Sequence, residues 1–519
     1  RLPGSLTLPT TPMDSLAAEL AQELKDFAWN AAWCSANEAK WMAQDAARNR
    51  EAAERHFQAA VETRGLSAIV MSDVKKMVWA AAKHATLERL SILQASQSEE
   101  AKHEFQHTAD FVKLSGEMSE GCAAHLRWMA WNAAWHAANV RAGNEADARR
   151  DRGRFEQHSR ALRGGLLRGV NLGGWLLLER WMNTKVFADF SESEAPDEVS
   201  LCERLEARTP GAAAARITEW RQKWITKLDF QMIKEMGFNS VRIPFGWWCV
   251  DGIESLGLSR GALVGPAMSL LDQAVAWASE TGLKVILDLH SAPGFQSGHQ
   301  ATGKSDAAWK WQNWNIPATV AILGLVAKRY SGSSAVAAFC VINEPSNQVP
   351  ASVLCGFYRD AAAAIRGAGM LAGKVTLLFP AYQRSLQELK DQNFPGGLQD
   401  AVLDIHLYQC FDQPWSWLGA EEHLARASDG KCHWPGLPEC QDLGVEAAIT
   451  EWSLRLPDWD EAFPFRAEWL AYSQAEKDHV IAEFARRQVA QFKKASIWTF
   501  WCWKVDADGE HFWSAKECV

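Results

Sequence analysis

Two glutamates stand out for their surroundings. Glu344 lies in Asn343-Glu344-Pro345 and Glu451 in Thr450-Glu451-Trp452, each directly after a short apolar run. Carboxylates on two separate segments are what glycosidic bond hydrolysis needs. One, protonated, gives its proton to the leaving oxygen; the other, ionised, attacks the anomeric carbon. A separation of ~5–5.5 Å gives retention, and a wider gap admits water and gives inversion. Similar runs end in other polar or aromatic groups: Arg242 in Val241-Arg242-Ile243-Pro244, His290 in Asp288-Leu289-His290, His406 and Tyr408 in Asp404-Ile405-His406-Leu407-Tyr408, Trp501 and Trp503 in Phe500-Trp501-Cys502-Trp503-Lys504. Arg242 is expected to hold Glu451 ionised, with burial and neighbouring charge separating the two glutamate pKa values. Asn343 suits a sugar 2-hydroxyl, a bond that strengthens in the transition state.

These runs read as strands over 169–172, 240–244, 284–290, 337–343, 374–379, 401–407, 445–450 and 496–500, with helix-like stretches between them at 267–279, 317–330, 352–366 and 476–492. Pro317 is expected at a first helical position, where no N–H is needed. Eight strands alternating with helices predict a (β/α)8 TIM barrel, whose active site lies at the C-terminal strand ends. A doubly wound open sheet is the structural alternative, but no GxGxxG follows the first strand to make a dinucleotide site.

Residues 1–163 have a different texture, rich in Ala, Glu, Arg and Gln with apolar residues at helical spacing. The boundary with the barrel region, 164–519, is placed at Arg163-Gly164-Gly165. Ala28-Trp29-Asn30-Ala31-Ala32-Trp33 returns as Ala130-Trp131-Asn132-Ala133-Ala134-Trp135, and Val78-Trp79-Ala80-Ala81-Ala82 lies between them. Phe57, Phe105 and Phe155 keep a similar beat. This predicts three units of ~50 residues, each a helical hairpin stacked on its neighbour. Core packing is the primary reading of these tryptophans and a binding surface the secondary one. In the second case the repeats would dock a partner protein or a cell-wall component.

Hydrophobic residues at 48% supply a sizeable core, and a formal charge of −9 gives no reason to expect a nucleic-acid partner. Tryptophan is abundant, 27 against 5 Tyr, which suits sugar-lined surfaces as well as cores. Eleven cysteines at irregular spacing, with Cys432 and Cys440 the nearest pair, give no disulfide framework and no metal spacing. No apolar run is long enough for a membrane span. The chain begins at Arg1 without a visible signal peptide, so it is read as a fragment or a processed form.

Taken in order, the strings from Arg168-Gly169-Val170-Asn171-Leu172-Gly173-Gly174-Trp175-Leu176, through those around Arg242, His290, Glu344, His406 and Glu451, to Phe500–Lys504 resemble glycoside hydrolase family 5, in particular its exo-β-1,3-glucanase branch, over residues 168 to about 513. The resemblance implies Glu344 as acid/base and Glu451 as nucleophile. It implies Asn343, Arg242, His290, His406 and Tyr408 around the cleaved sugar, Trp501 as its platform in preference to Trp503, and Glu179 at the non-reducing-end sugar. It implies a β-glucan or oligosaccharide substrate and extracellular or cell-wall residence; no metal or organic cofactor is expected, because the two carboxylates suffice. The chain departs from the branch at Arg180, usually Pro, at Phe295-Gln296-Ser297-Gly298-His299-Gln300, and in the Trp-rich loop Lys310-Trp311-Gln312-Asn313-Trp314. These loops shape the sugar-binding end, so β-1,6- or β-1,4-glucan, glucoside hydrolysis and transglycosylation stay open. So does a non-catalytic carbohydrate-binding role, although a mere binder needs neither carboxylate.

Overall fold

The computed structural model describes residues 18–63, 66–90, 95–114, 118, 120–162, 166–396, 398, 401–411, 415–429, 436–443, 446–458 and 463–518. The chain divides into two compact units, one built around Leu167–Leu437 and Ala448–Val519, the other around Thr11–Leu166 and Pro438–Ala447. The boundary expected at Arg163-Gly164-Gly165 lies outside the described residues, as does Cys432. The ten described cysteines are unbridged and buried.

In the helical unit, α1 (Ala18–Ala39), α2 (Ala43–Glu62), α3 (Ala68–Leu90), α4 (Ala95–Leu114), α5 (Glu120–Ala142) and α6 (Glu145–Leu162) pair as α1 with α2, α3 with α4 and α5 with α6. The hairpins close on one another, because α1, α3 and α5 also pack together. Small side chains permit this: Ala31, Ala81 and Ala133 are fully buried at the centre. Rings tie the hairpins together, with Phe105 of α4 4.9 Å from Trp131 of α5 and Phe155 of α6 5.1 Å from Trp29 of α1. Trp29, Trp33, Trp79, Trp131 and Trp135 are half-buried against this core.

In the other unit eight parallel strands close into a barrel in sequence order. They are β1 (Leu167–Asn171), β2 (Ser240–Gly246), β3 (Lys284–Ser291), β4 (Val336–Cys340), β5 (Thr376–Pro380), β6 (Ala401–Leu407), β7 (Ala447–Trp452) and β8 (Ile497–Phe500). β4 ends three residues earlier than the sequence suggests. Glu344 has a φ of 37°, a left-handed conformation that no strand accommodates, so Asn343 and Glu344 stand on the turn leaving the barrel.

The barrel is filled in layers. Leu167, Ile286, Ala338, Leu378, Val402 and Ile497, with Cys340 and Ala448, form one apolar cluster from seven strands, which only the interior can bring together. Fully or nearly fully buried Asn171, Arg242, Asp288, Asp404, Thr450 and Thr499 make up a polar set alongside it. β1 and β2 approach so closely that a Cβ at Gly169 would lie 2.2 Å from the Ser240 carbonyl oxygen, which leaves room for glycine alone.

Local signals set the surrounding helices. Thr226 and Asp229 form a capping box on helix Lys227–Glu235, and Asp229 also accepts from the Trp503 indole at 2.9 Å and Lys504 Nζ at 3.0 Å. One carboxylate thus caps a helix and anchors the segment after β8. Asn315 caps helix Ile316–Tyr330, where Pro317 takes the second helical position rather than the first; either lacks an intrahelical acceptor for an N–H.

Candidate active site

Strand periodicity explains how the chemistry converges. Residues two apart on a strand face the same way, so Asp288 and His290 on β3, and Asp404 and His406 on β6, are paired in space as well as in sequence. His290 Nδ1 lies 2.6 Å from Asp288 Oδ2. His406 Nε2 lies 3.2 Å from Thr450 Oγ1, whose hydroxyl donates to Asp404 at 2.7 Å.

Arg242 is the hub. Fully buried on β2, it donates through Nη1 to Glu451 Oε1 at 2.8 Å and Asn171 Oδ1 at 2.9 Å, and through Nη2 to Asn343 Oδ1 at 2.8 Å. Asp288 Oδ2 is 3.1 Å from the same Nη2. A guanidinium so deep is tolerable only with charge partners and fixed acceptors. They outweigh the burial that would lower its pKa, and leave it raised.

The two glutamates face each other with His406 between them. His406 Nδ1 is 2.6 Å from Glu344 Oε1 and 3.4 Å from Glu451 Oε2. The Tyr408 hydroxyl donates to Glu451 Oε2 at 2.9 Å. Glu344, His406 and Glu451 each offer one atom within 4.8 Å of the others. That spacing suits a three-ligand metal site too, but His406 Nδ1 is aimed at Glu344 as in a charge-assisted hydrogen bond.

The titration of this cluster runs opposite to the simple expectation. Burial pushes Glu344 up, but the hydrogen bond and charge of His406, aided by His299 and His290, outweigh it and leave the carboxyl lowered. Burial raises Glu451, Glu344 adds to the rise, and His406 and Arg242 do not fully offset it. His406 loses by burial yet is raised well above its ordinary value by Glu451, Asp404 and Glu344. The raised His406 and lowered Glu344 favour an imidazolium facing a carboxylate, and the three groups titrate as a unit.

These groups open onto a cavity of about 730 Å³ that Glu179, Trp181, His299, Gln300, Trp501 and Trp513 also line. Trp501 stacks on His290, ring centres 5.5 Å apart and 16° between planes. Asn343 Nδ2 is 3.2 Å from His290 Nε2. Glu179 is 4% exposed and accepts from the Trp181 indole at 2.9 Å and Gln300 at 3.2 Å. Its carboxyl is raised, burial prevailing over His290 and Trp181.

All nine expected site residues, Glu344, Glu451, Glu179, Arg242, His290, Asn343, His406, Tyr408 and Trp501, thus meet at one end of the barrel. Trp503 does not: it is fully buried against Asp229. Trp248, Trp452 and Trp498 are core or wall. Sequence reasoning gave no role to Asn171, Thr450 or Gln296. The first two hold Arg242 and His406; Gln296 donates to the Asn343 and His290 carbonyl oxygens at 2.8 and 2.7 Å, bracing the turn that carries Glu344. The signal for Asn171 and Thr450 was their place at strand ends; Gln296 carried none.

Among relatives, a glucan 1,3-beta-glucosidase of Candida oleophila is 28% identical over 376 residues, 66% of this chain and 85% of its own. A probable glucan 1,3-beta-glucosidase A of Aspergillus fumigatus is 30% identical over 385 residues, 68% of this chain and 86% of its own. The crystal structure of rutinosidase from Aspergillus niger shares the barrel fold, with a TM-score of 0.51 at 18% identity over 66% of this chain and 91% of that one. Residues 206–505 match the family described as cellulase (glycosyl hydrolase family 5), and the chain, a glycosidase, belongs to that family.

Proposed function

We propose that the protein is a retaining exo-β-1,3-glucosidase that releases glucose from β-glucan by double displacement, with Glu451 as nucleophile and Glu344 as acid/base. The observation that carries this is the spacing of the two carboxylates, each with an oxygen inside the 4.8 Å cluster. At their nearest oxygens the two carboxylates are thus closer than the ~6.5–9.5 Å that accommodates water between carboxyl groups, which supports the double displacement.

In the first step Glu451 attacks the anomeric carbon from its ionised form, steadied by Arg242 and Tyr408. Glu344 receives the proton held on His406 across 2.6 Å and passes it to the leaving oxygen. The His406 relay supplies an acid even though Glu344 itself rests in a lowered state. In the second step Glu344 takes a proton from water, which attacks the glycosyl ester, and Glu451 departs. A sugar hydroxyl taking the place of that water would give transglycosylation. Trp501 offers a flat face to the pyranose, and Asn343 a polar group for the 2-hydroxyl. The 1,3-linkage and release from the chain end draw support from the names of the relatives. Such polymers are met outside the cell or in its wall, and we expect the enzyme to act there.

The test is the product profile on laminarin for wild type and Glu451→Gln. β-Glucose appearing first and then mutarotating, abolished by the substitution, is expected. An oligosaccharide ladder would overturn the exo mode alone, first-formed α-glucose would overturn retention, and no action on any β-glucan would overturn the substrate.

A further inference from the structure

The helical unit repeats more than its tryptophans. A shift of 102 residues carries Trp29, Asn30, Trp33 and Asn37 of α1 onto Trp131, Asn132, Trp135 and Asn139 of α5, and Asp45, Arg48 and His56 of α2 onto Asp147, Arg150 and His158 of α6. The contacts repeat with the residues. Arg89 of α3 lies over the Trp135 ring at 5.0 Å, and Arg141 of α5, 52 residues further on, lies over Trp33 at 5.0 Å. Asn139 donates to Asp151 at 2.9 Å and Asn37 to Asn49 at 3.0 Å. Arg150 pairs with Asp147 as Arg48 pairs with Asp45. Helix packing alone needs apolar spacing; it does not need polar side chains paired at equivalent positions twice.

On α5 and α6 this constellation lines a groove of about 380 Å³, bordered by the exposed Trp128 and by Arg154. That volume falls in the ~300–1,000 Å³ range of small-ligand sites. The indole N–H of Trp135 is buried without an acceptor among the described residues, so what this side chain offers the groove is ring surface. One face of the Trp135 ring is covered by Arg89; the indole surface left to the groove matches the C–H face of a pyranose, while planar Asn, Asp and Arg groups match pairs of neighbouring hydroxyls. Arg89 and Arg150 are both paired with Asp147, and burial pushes His158 down to about 3, so it is neutral. With Arg89, Arg150 and Arg154 set against Asp147 and Asp151 the groove is close to charge balance, and suits a neutral polyhydroxylated ligand.

We propose that the α5–α6 groove, with the matching residues of α1–α2 as a second point of contact, is a docking site for neutral β-glucan apart from the catalytic cleft. The choice of glucan rests on the proposed substrate. The copy has Ala52 and Asp26 where the first groove has Arg154 and Trp128, so the α5–α6 site is the stronger. Two sites on one chain would hold an insoluble polymer by avidity.

The test uses the full chain in a Glu451→Gln background, co-sedimented with insoluble β-1,3-glucan. Trp135→Ala is expected to weaken binding about tenfold or more, the loss typical of an aromatic anchor. Trp33→Ala should weaken it less, and the pair together most. Arg48→Ala with Arg150→Ala alters one exposed and one half-buried surface side chain and serves if the tryptophan variants misfold. In the otherwise wild-type enzyme, either pair should slow release from insoluble glucan and leave hydrolysis of a soluble aryl β-glucoside unchanged. Undiminished sedimentation of folded double variants would overturn the proposal, as would retention on a sulfated glycan instead of glucan. Laminarin hydrolysis without groove-dependent sedimentation would sink these sites and spare the catalytic reading. Groove-dependent sedimentation without hydrolysis would do the reverse.

Discussion

Tyr408→Phe isolates one hydrogen bond to the proposed nucleophile. The hydroxyl donates to Glu451 Oε2 at 2.9 Å, while the ring is braced by Phe411 and Trp513 with centres 5.3 and 5.4 Å away. Phenylalanine keeps those ring contacts and the volume. Glu451 keeps Arg242 at 2.8 Å and His406 at 3.4 Å, so its charge is not stranded. A hydrogen bond to a charged group contributes about 1.5–3 kcal/mol, equivalent to a fall of about 10- to 150-fold in kcat/KM if the bond is fully used in the transition state. The pH profile adds a second signature. Burial already raises the Glu451 carboxyl, and losing a donor to its ionised form raises it further. The working carboxylate exists above that pKa and is lost below it, so the acid limb of kcat/KM should move to higher pH. Initial rates on laminarin and on an aryl β-glucoside, followed from acid to neutral pH beside a thermal melt, give both readouts. Unchanged kcat/KM with an unmoved acid limb would refute the role of Tyr408. A loss of rate tracking a large fall in melting temperature would assign the effect to structure.

Glu344→Gln should cost about 10²–10⁴-fold on laminarin, the usual range for general acid catalysis, but far less in bond cleavage of a dinitrophenyl glucoside, whose leaving group needs no proton. Equal losses in that step would exclude Glu344 as the acid. In His406→Asn the proton has to reside on Glu344 itself. The wild-type proton is held up to the raised His406 pKa and lost above it, so the variant's alkaline limb should shift to lower pH; an unmoved limb would rule out the relay. Gly169→Ala drives a methyl to 2.2 Å from the Ser240 carbonyl oxygen and should cost about 1–3 kcal/mol or more, the price of overpacking. Its melting midpoint, if equal to that of wild type, would show that β1 and β2 can part without cost.

Much of the barrel was legible because its signals are local. β6 was located to the residue, and Ser240 and Lys284 were correctly read as strand starts, since alternating and β-branched runs bounded by turns leave little choice. The end of β4 was misjudged because the positive φ of Glu344 is imposed by the surrounding site, which holds the turn through Gln296 and His406. Nothing in the apolar run 337–343 announces it. The closed helical arrangement was missed for a similar reason. A repeat in sequence fixes the hairpin; whether hairpins stack or close depends on how near their faces approach, which the central alanines decide collectively. The sense of the glutamate pKa shifts was also out of reach, because it depends on His406 lying between two carboxylates that are more than 100 residues apart in sequence.

The charge arrangement bears on why the site keeps so many buried ions. Asp288, Asp404, Glu344 and Glu451 face Arg242, His290 and His406, and in their charged forms the set carries one more negative than positive charge. Replacing such ions with apolar residues often stabilises a fold, so stability alone does not account for them. An oxocarbenium-like transition state brings a positive charge to the sugar ring. A cluster that is one negative charge in excess, fixed by Arg242 and closed off by Trp501, is complementary to that state and not to a neutral ground-state sugar. Its orientation is set during folding, so little reorganisation remains when the bond breaks. Under the proposed mechanism the strained turn at Glu344 and the burial of Arg242 have one common account: stability is given up where the transition state would be held.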